Sequence, residues 1–154
     1  MNIEEIKRKL LEKLPLYGDI INSVTFIGDP NQPRQPSNVA TVVTDGKNIY
    51  YNSEFINGLD DDQKLSAFAN SILHIAFNDI ERGKGRVQEI WMIAADAIVN
   101  KCLKEDGFKL VDNCIDIPIE EGKTAEDLYV DLCEPFPYSH LIGLCLHKGK
   151  KDQK

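Results

Sequence analysis

The chain has 154 residues, 42% of them hydrophobic and 28% charged, which fits one soluble domain with an ordinary core and is too short for two. A formal net charge of −7 argues against nucleic acid as a partner, because such proteins carry a basic face. No apolar run is long enough to span a bilayer, and the N-terminus MNIEEIKRKLLEKLPLYG has neither the apolar stretch nor the cleavage site of a secretion signal, so a cytoplasmic location away from membranes is expected.

Residues 2–14 are predicted to form an amphipathic helix, with Ile3, Ile6, Leu10, Leu11 and Leu14 at helical spacing. Pro15 and Gly18 end it. The stretch SVTFIG is predicted as a short strand, and residues 28–38, GDPNQPRQPSN, with three prolines, as a loop. In VATVVTDGKNIYYN two β-branched or aromatic runs flank Asp45-Gly46, which predicts strands near 39–44 and 48–51. SEFINGL gives a short turn of helix. Asp60, Asp61 and Asp62 supply cap and first-turn carboxylates for a helix over 61–79. ERGKGR stops it, and a second long helix covers 86–105, closed by Gly107. KLVDNCIDIPI is irregular. KTAEDLYVDLC is a short helix with Thr124 as N-cap and Asp127 three residues on. The basic tail, residues 148–154, reads as a solvated end. The order helix, hairpin, helix, helix, helix predicts a single α+β domain over 1–154.

Cys102, Cys114, Cys133 and Cys145 include no Cys-x-x-Cys pair. Free thiols in a reducing compartment are the expectation.

On a helical wheel at about 100° per residue, Gln63, Ala67, Asn70, Ser71, His74, Asn78 and Glu81 share one arc of the first long helix, and apolar residues fill the rest. A helix of this pattern is buried on most sides. Asp79 breaks the pattern: on a regular helix it lies roughly 140° from His74, so the two share a site only if the backbone breaks between them. In the second long helix Glu89, Ile93, Asp96 and Asn100 share an arc, and Asp96 is the one polar residue between Ile90 and Val99. A lone carboxylate in such a run needs a partner or a metal if buried. The plainer reading, in which both stripes are solvated faces and His74 is an ordinary histidine, stands beside this one.

Four segments carry a resemblance: TVVTDGKNIYYNSEFINGL, FANSILHIAFNDIERG, EIWMIAADAIVNKCLKEDGF and KTAEDLYVDL. Together they span about residues 39–132. In this order they resemble the zincin-like metallopeptidase domain of bacterial metal-dependent peptidases, where a von Willebrand-A-like domain often follows. The second segment aligns with that family's His-Glu-x-x-His helix. The resemblance places Asn70 at the first ligand histidine, Ser71 at the catalytic glutamate and His74 at the second histidine. Asp79 stands at a further histidine, Trp91 is kept, Met92 replaces an asparagine, and Asp96 is in register.

In such a site two histidines one turn apart hold the metal, and the glutamate activates its water. Serine cannot serve as that base near neutral pH, and an amide is a weak ligand. The resemblance with its degenerate motif therefore implies a domain without peptidase activity that binds a protein or peptide, for example along the edge of the 39–51 hairpin. ATPase (AAA-type) or von Willebrand-A-like proteins are the partners it suggests, and no cofactor is expected. The first alternative is a metal-dependent peptidase or hydrolase with zinc or manganese held by His74, Asp79 and Asp96, its base drawn from a carboxylate such as Glu54 or Glu81. The second is a structural or assembly module. Ser71 beside His74 is a weak nucleophile pair without an orienting acid, and His140 and His147 fall outside the resemblance.

Overall fold

The computed structural model describes residues 1–29 and 41–134. The loop expected at 28–38, the tail, His140, His147 and Cys145 lie wholly or mostly outside them. The described residues are α+β: a small three-stranded sheet and a set of helices packed against it and against one another.

Helix α1 covers Ile3–Lys13 and starts at a capping box in which Asn2 and Glu5 satisfy each other's backbone N–H groups. Pro15 ends it, as expected. Beyond Pro15 the apolar periodicity is silent, and the structure adds a 3-10 turn at Pro15–Tyr17 that runs into a further helix, α2, at Gly18–Ser23. Pro15 fits the first position of the new turn, where no N–H is needed.

Strand β1 is Thr25–Gly28, β2 is Val42–Thr44 and β3 is Asn48–Tyr51. The sheet order is β1-β3-β2, with β1 parallel and β2 antiparallel to β3. The Asp45-Gly46 turn forms as expected. Gly46 has a φ of 100°, which glycine alone adopts without strain. The Asp45 carboxylate accepts the N–H groups of Lys47 and Asn48 and the Tyr50 hydroxyl. Partial burial works against its charge, but these donors outweigh burial and lower its pKa to about 2.

Helix α3 is Ser53–Asn57, α4 is Asp61–Ala76, α5 is Asp79–Arg82, α6 is Gln88–Glu105 and α7 is Ala125–Cys133. Asp60 caps α4 in a box with Gln63, and Thr124 caps α7 in a box with Asp127. The apolar face of α4, with Phe68, Ile72 and Leu73, packs into a core with Ile6, Leu10, Ile21, Ile49, Val99 and Leu103. Each such side chain contributes about 1.5–3 kcal/mol when fully buried. A second core joins Ile93, Ala94 and Ala97 of α6 to Leu128 and Leu132 of α7.

The expected helix over 61–79 is corrected: it ends at Ala76, and α5 begins at Asp79. Between them Asn78 takes φ 59° and ψ 40°. Asparagine is among the few residues that tolerate this left-handed region. No helix is long and apolar enough to cross a membrane among the described residues.

Candidate functional site

The break at Asn78 turns the chain so that Asp79 comes back toward His74. Three contacts hold α5 in place. The Trp91 indole N–H donates to the Asp79 carbonyl at 2.8 Å, and Arg82 Nη1 donates to the Phe77 carbonyl at 2.8 Å and to Asp79 Oδ1 at 2.9 Å. Arg82 also forms a forked pair with Glu126 of α7. Gly83 lies flat against Trp91: a Cβ there would sit 2.3 Å from Trp91 Cδ1, so only glycine fits.

His74 is the centre of the resulting cluster and is 6% exposed. Its Nδ1 is 2.8 Å from Asp79 Oδ2, and its Nε2 is 2.7 Å from Asp96 Oδ1. An ionised carboxylate only accepts, so both ring nitrogens carry protons and the ring is an imidazolium clamped between two acids. Burial opposes that charge, but the hydrogen bonds and charges of Asp79 and Asp96 outweigh it and raise the pKa to about 9. Asn70 Nδ2 donates to Asp96 Oδ1 at 3.2 Å and to Asn100 Oδ1 at 3.1 Å, and Asn100 Nδ2 donates to the Ile115 carbonyl at 2.9 Å.

The structure therefore brings His74, Asp79, Asp96 and Asn70 together. It also corrects the plainer reading of the polar stripe as a solvated face. Gln63, Ser71 and His74 are buried, and Asn70 and His74 are turned toward α6. Glu81 pairs with Lys84 on the surface, and Glu54 is exposed. Ser71 is 1% exposed, and neither nitrogen of His74 is left to activate it.

A single metal ion does not fit all three expected ligands as they stand. The two carboxylates lie on opposite edges of the imidazole, and one ion can reach only one ring nitrogen. Asp79 is moreover engaged by Arg82. Among the described residues no group of three or more His, Cys, Asp or Glu is placed to hold a metal ion. In this arrangement Asp79 orients the ring, and Asp96 is the one carboxylate facing Nε2.

A cleft runs past this cluster beneath β2. One compartment, of about 270 Å³, is lined by Val43, Thr44, Ser71, His74, Ile80 and Met92, among others. The other, of about 360 Å³, is lined by Phe55, Ser66, Asn100, Val111 and Asp112, among others. Thr41, Val42, Asn70 and Asp96 line both. β2 is an edge strand among the described residues. Thr41 accepts from Asn52, and Asp45 donates to Asn48. Alternation along the antiparallel ladder then turns the backbone groups of Val42 and Thr44 to the outer edge.

Arg82 and Glu126 escape sequence reasoning. For Arg82 the signal is its position one helical turn after Asp79, a spacing at which side chains meet. Glu126 has no such local signal, because only the packing of α7 brings it near.

The fold and the site together define an α+β domain with a mostly apolar cleft, bordered by a buried polar cluster, beside the strand that forms the sheet edge among the described residues. A family model described as "Putative metallopeptidase domain" matches residues 27–153, and the chain belongs to that family. Comparison with curated proteins and with solved structures gave no match.

Proposed function

We propose that this is a metallopeptidase-like domain that binds an extended protein or peptide segment and does not cleave it. The observation that carries this reading is the state of His74: both ring nitrogens are occupied by carboxylates. The residues beside it support the same reading. By the family resemblance Asn70 and Ser71 stand where a ligand and the catalytic base belong. Ser71 has no acid–base capacity near neutral pH, and Asn70 is spent on Asp96 and Asn100.

The cleft meanwhile retains what an extended ligand needs. The edge of β2, unpaired among the described residues, offers backbone N–H and C=O groups for strand addition, and the compartments beneath receive alternate side chains. On this reading the fold is a zincin-like scaffold with a degenerate motif, acting in the cytoplasm. ATPase or von Willebrand-A-like proteins are the partners to try first.

The test is capture of peptides from a proteolysed proteome on the immobilised chain, followed by mass spectrometry of both captured and supernatant peptides. Reproducible capture of uncut peptides is the expected result. New cleavage products that depend on added zinc or manganese would instead favour a hydrolase. No capture and no cleavage would leave the domain a structural module.

A further inference from the structure

We infer that the cleft selects a segment carrying a basic side chain beside an apolar one. This rests on the strand-addition reading above and names the chemistry of its ligand. The two compartments differ in character. The one toward the end of β2 is bordered by Val43, Ile80 and Met92, which are 39%, 43% and 46% exposed. Exposed large apolar groups converging on one cleft mark a contact surface more than a scatter of single ones does.

The other compartment is lined by the apolar side chains of Phe55 and Val111 and by two aspartates, Asp96 and Asp112. No lysine or arginine lines either compartment among the described residues. Apolar side chains together with carboxylates match a side chain with an aliphatic stem and a cationic head. Asp112 is exposed, and Asp96, its side chain 31% exposed, meets His74 and Asn70 through Oδ1, which leaves its second oxygen for an incoming cation.

A second observation points to a ligand in the same place. Ser66 lines this compartment at 2% exposure, and its hydroxyl has no hydrogen bond among the described residues. A buried hydroxyl without a partner is costly, and a donor group entering the compartment satisfies it. The compartments follow one another along β2. An added strand places residues i and i+2 on one face, about 7 Å apart, so the basic and apolar side chains are two residues apart.

The test uses fluorescence polarisation of the full chain with labelled nine-residue peptides. A central position is Lys, Arg, Gln or Glu, and the position two residues on is Leu or Ser. Lys and Arg peptides are expected to bind about three- to fivefold tighter than Gln ones, the range of a partly solvated ion pair, with Glu weakest and Leu better than Ser. Asp112→Lys, a change at an exposed residue, is expected to abolish or reverse the charge preference while leaving the Leu preference intact. Binding without a charge preference, or a preference for Glu in the parent chain, overturns the inference and leaves the groove reading standing. Failure of every peptide to bind removes both.

Discussion

The two faces of α4 solve opposite problems. One face buries Phe68, Ile72 and Leu73 in a core shared with α1, α2 and β3. Its stability comes from removing apolar area from water, which needs no particular partner geometry. The other face turns Asn70 and His74 toward α6 and buries Ser71 beside them. Its stability depends on the imidazolium, the carboxylates and the Asn70 amide meeting partners, because an unpaired buried charge costs several kcal/mol. The first face tolerates substitution by volume, whereas the second is set by a few hydrogen bonds and by a backbone break.

The largest expected effect lies on the apolar face. Phe68 is fully buried, with ring centroids 5.7 Å from Phe26 and 5.3 Å from Tyr51. Phe68→Ala is expected to cost about 3–5 kcal/mol, read as a lower urea midpoint at unchanged slope.

On the polar face His74→Gln is expected to cost about 2–3 kcal/mol. The loss is below that of a fully broken buried pair because Asp79 keeps Arg82 and Asp96 is partly solvated. The same residue gives the face a pH dependence that the apolar face lacks. Its pKa is raised from 6.5 to about 9 in the folded chain, so the folded state holds the proton longer than the unfolded one. The stabilisation is complete below about 6.5 and is lost as pH rises through about 9. Urea midpoints of the parent chain are expected to fall across that window, and those of His74→Gln to fall less. A parent midpoint that rises across it would break the comparison.

Gly83→Ala is expected to cost about 1–3 kcal/mol by overpacking against Trp91. It should also loosen α5, with faster amide exchange around Asp79. The smallest effect is at the break itself. Asn78→Ala is expected to cost about 1–2 kcal/mol for a left-handed residue without an Asn side chain, and Asn78→Gly close to nothing. Equal stability of the Ala and Gly variants would show that the left-handed turn does not matter.

Legibility in the sequence followed the same divide. The apolar periodicity of α1, α4 and α6, the Asp45-Gly46 turn and the Thr124 box were readable because each signal is local. α2 was missed because Pro15 reads as a stop and gives no hint that a new turn starts on it. β1 was found as a strand, but not its parallel pairing, which depends on residues more than twenty positions away. At the site, Asp79 and Asp96 stand out by isolation on the wheel, and His74 by its place in the motif that the resemblance aligns. The wheel did not show that Asn78 breaks the helix, nor that the two acids take opposite edges of the ring. Orientation at that level comes from Arg82 and Trp91 holding α5, and from α7 bringing Glu126 to Arg82.

The most direct test of the central claim is metal content. The chain, purified without an affinity metal, is loaded with zinc or manganese, dialysed and counted by mass spectrometry beside His74→Ala. With His74 clamped between Asp79 and Asp96, the expected result is far less than one ion per chain, equal in both proteins. Near-stoichiometric metal that disappears in His74→Ala would contradict it and return the domain to catalysis.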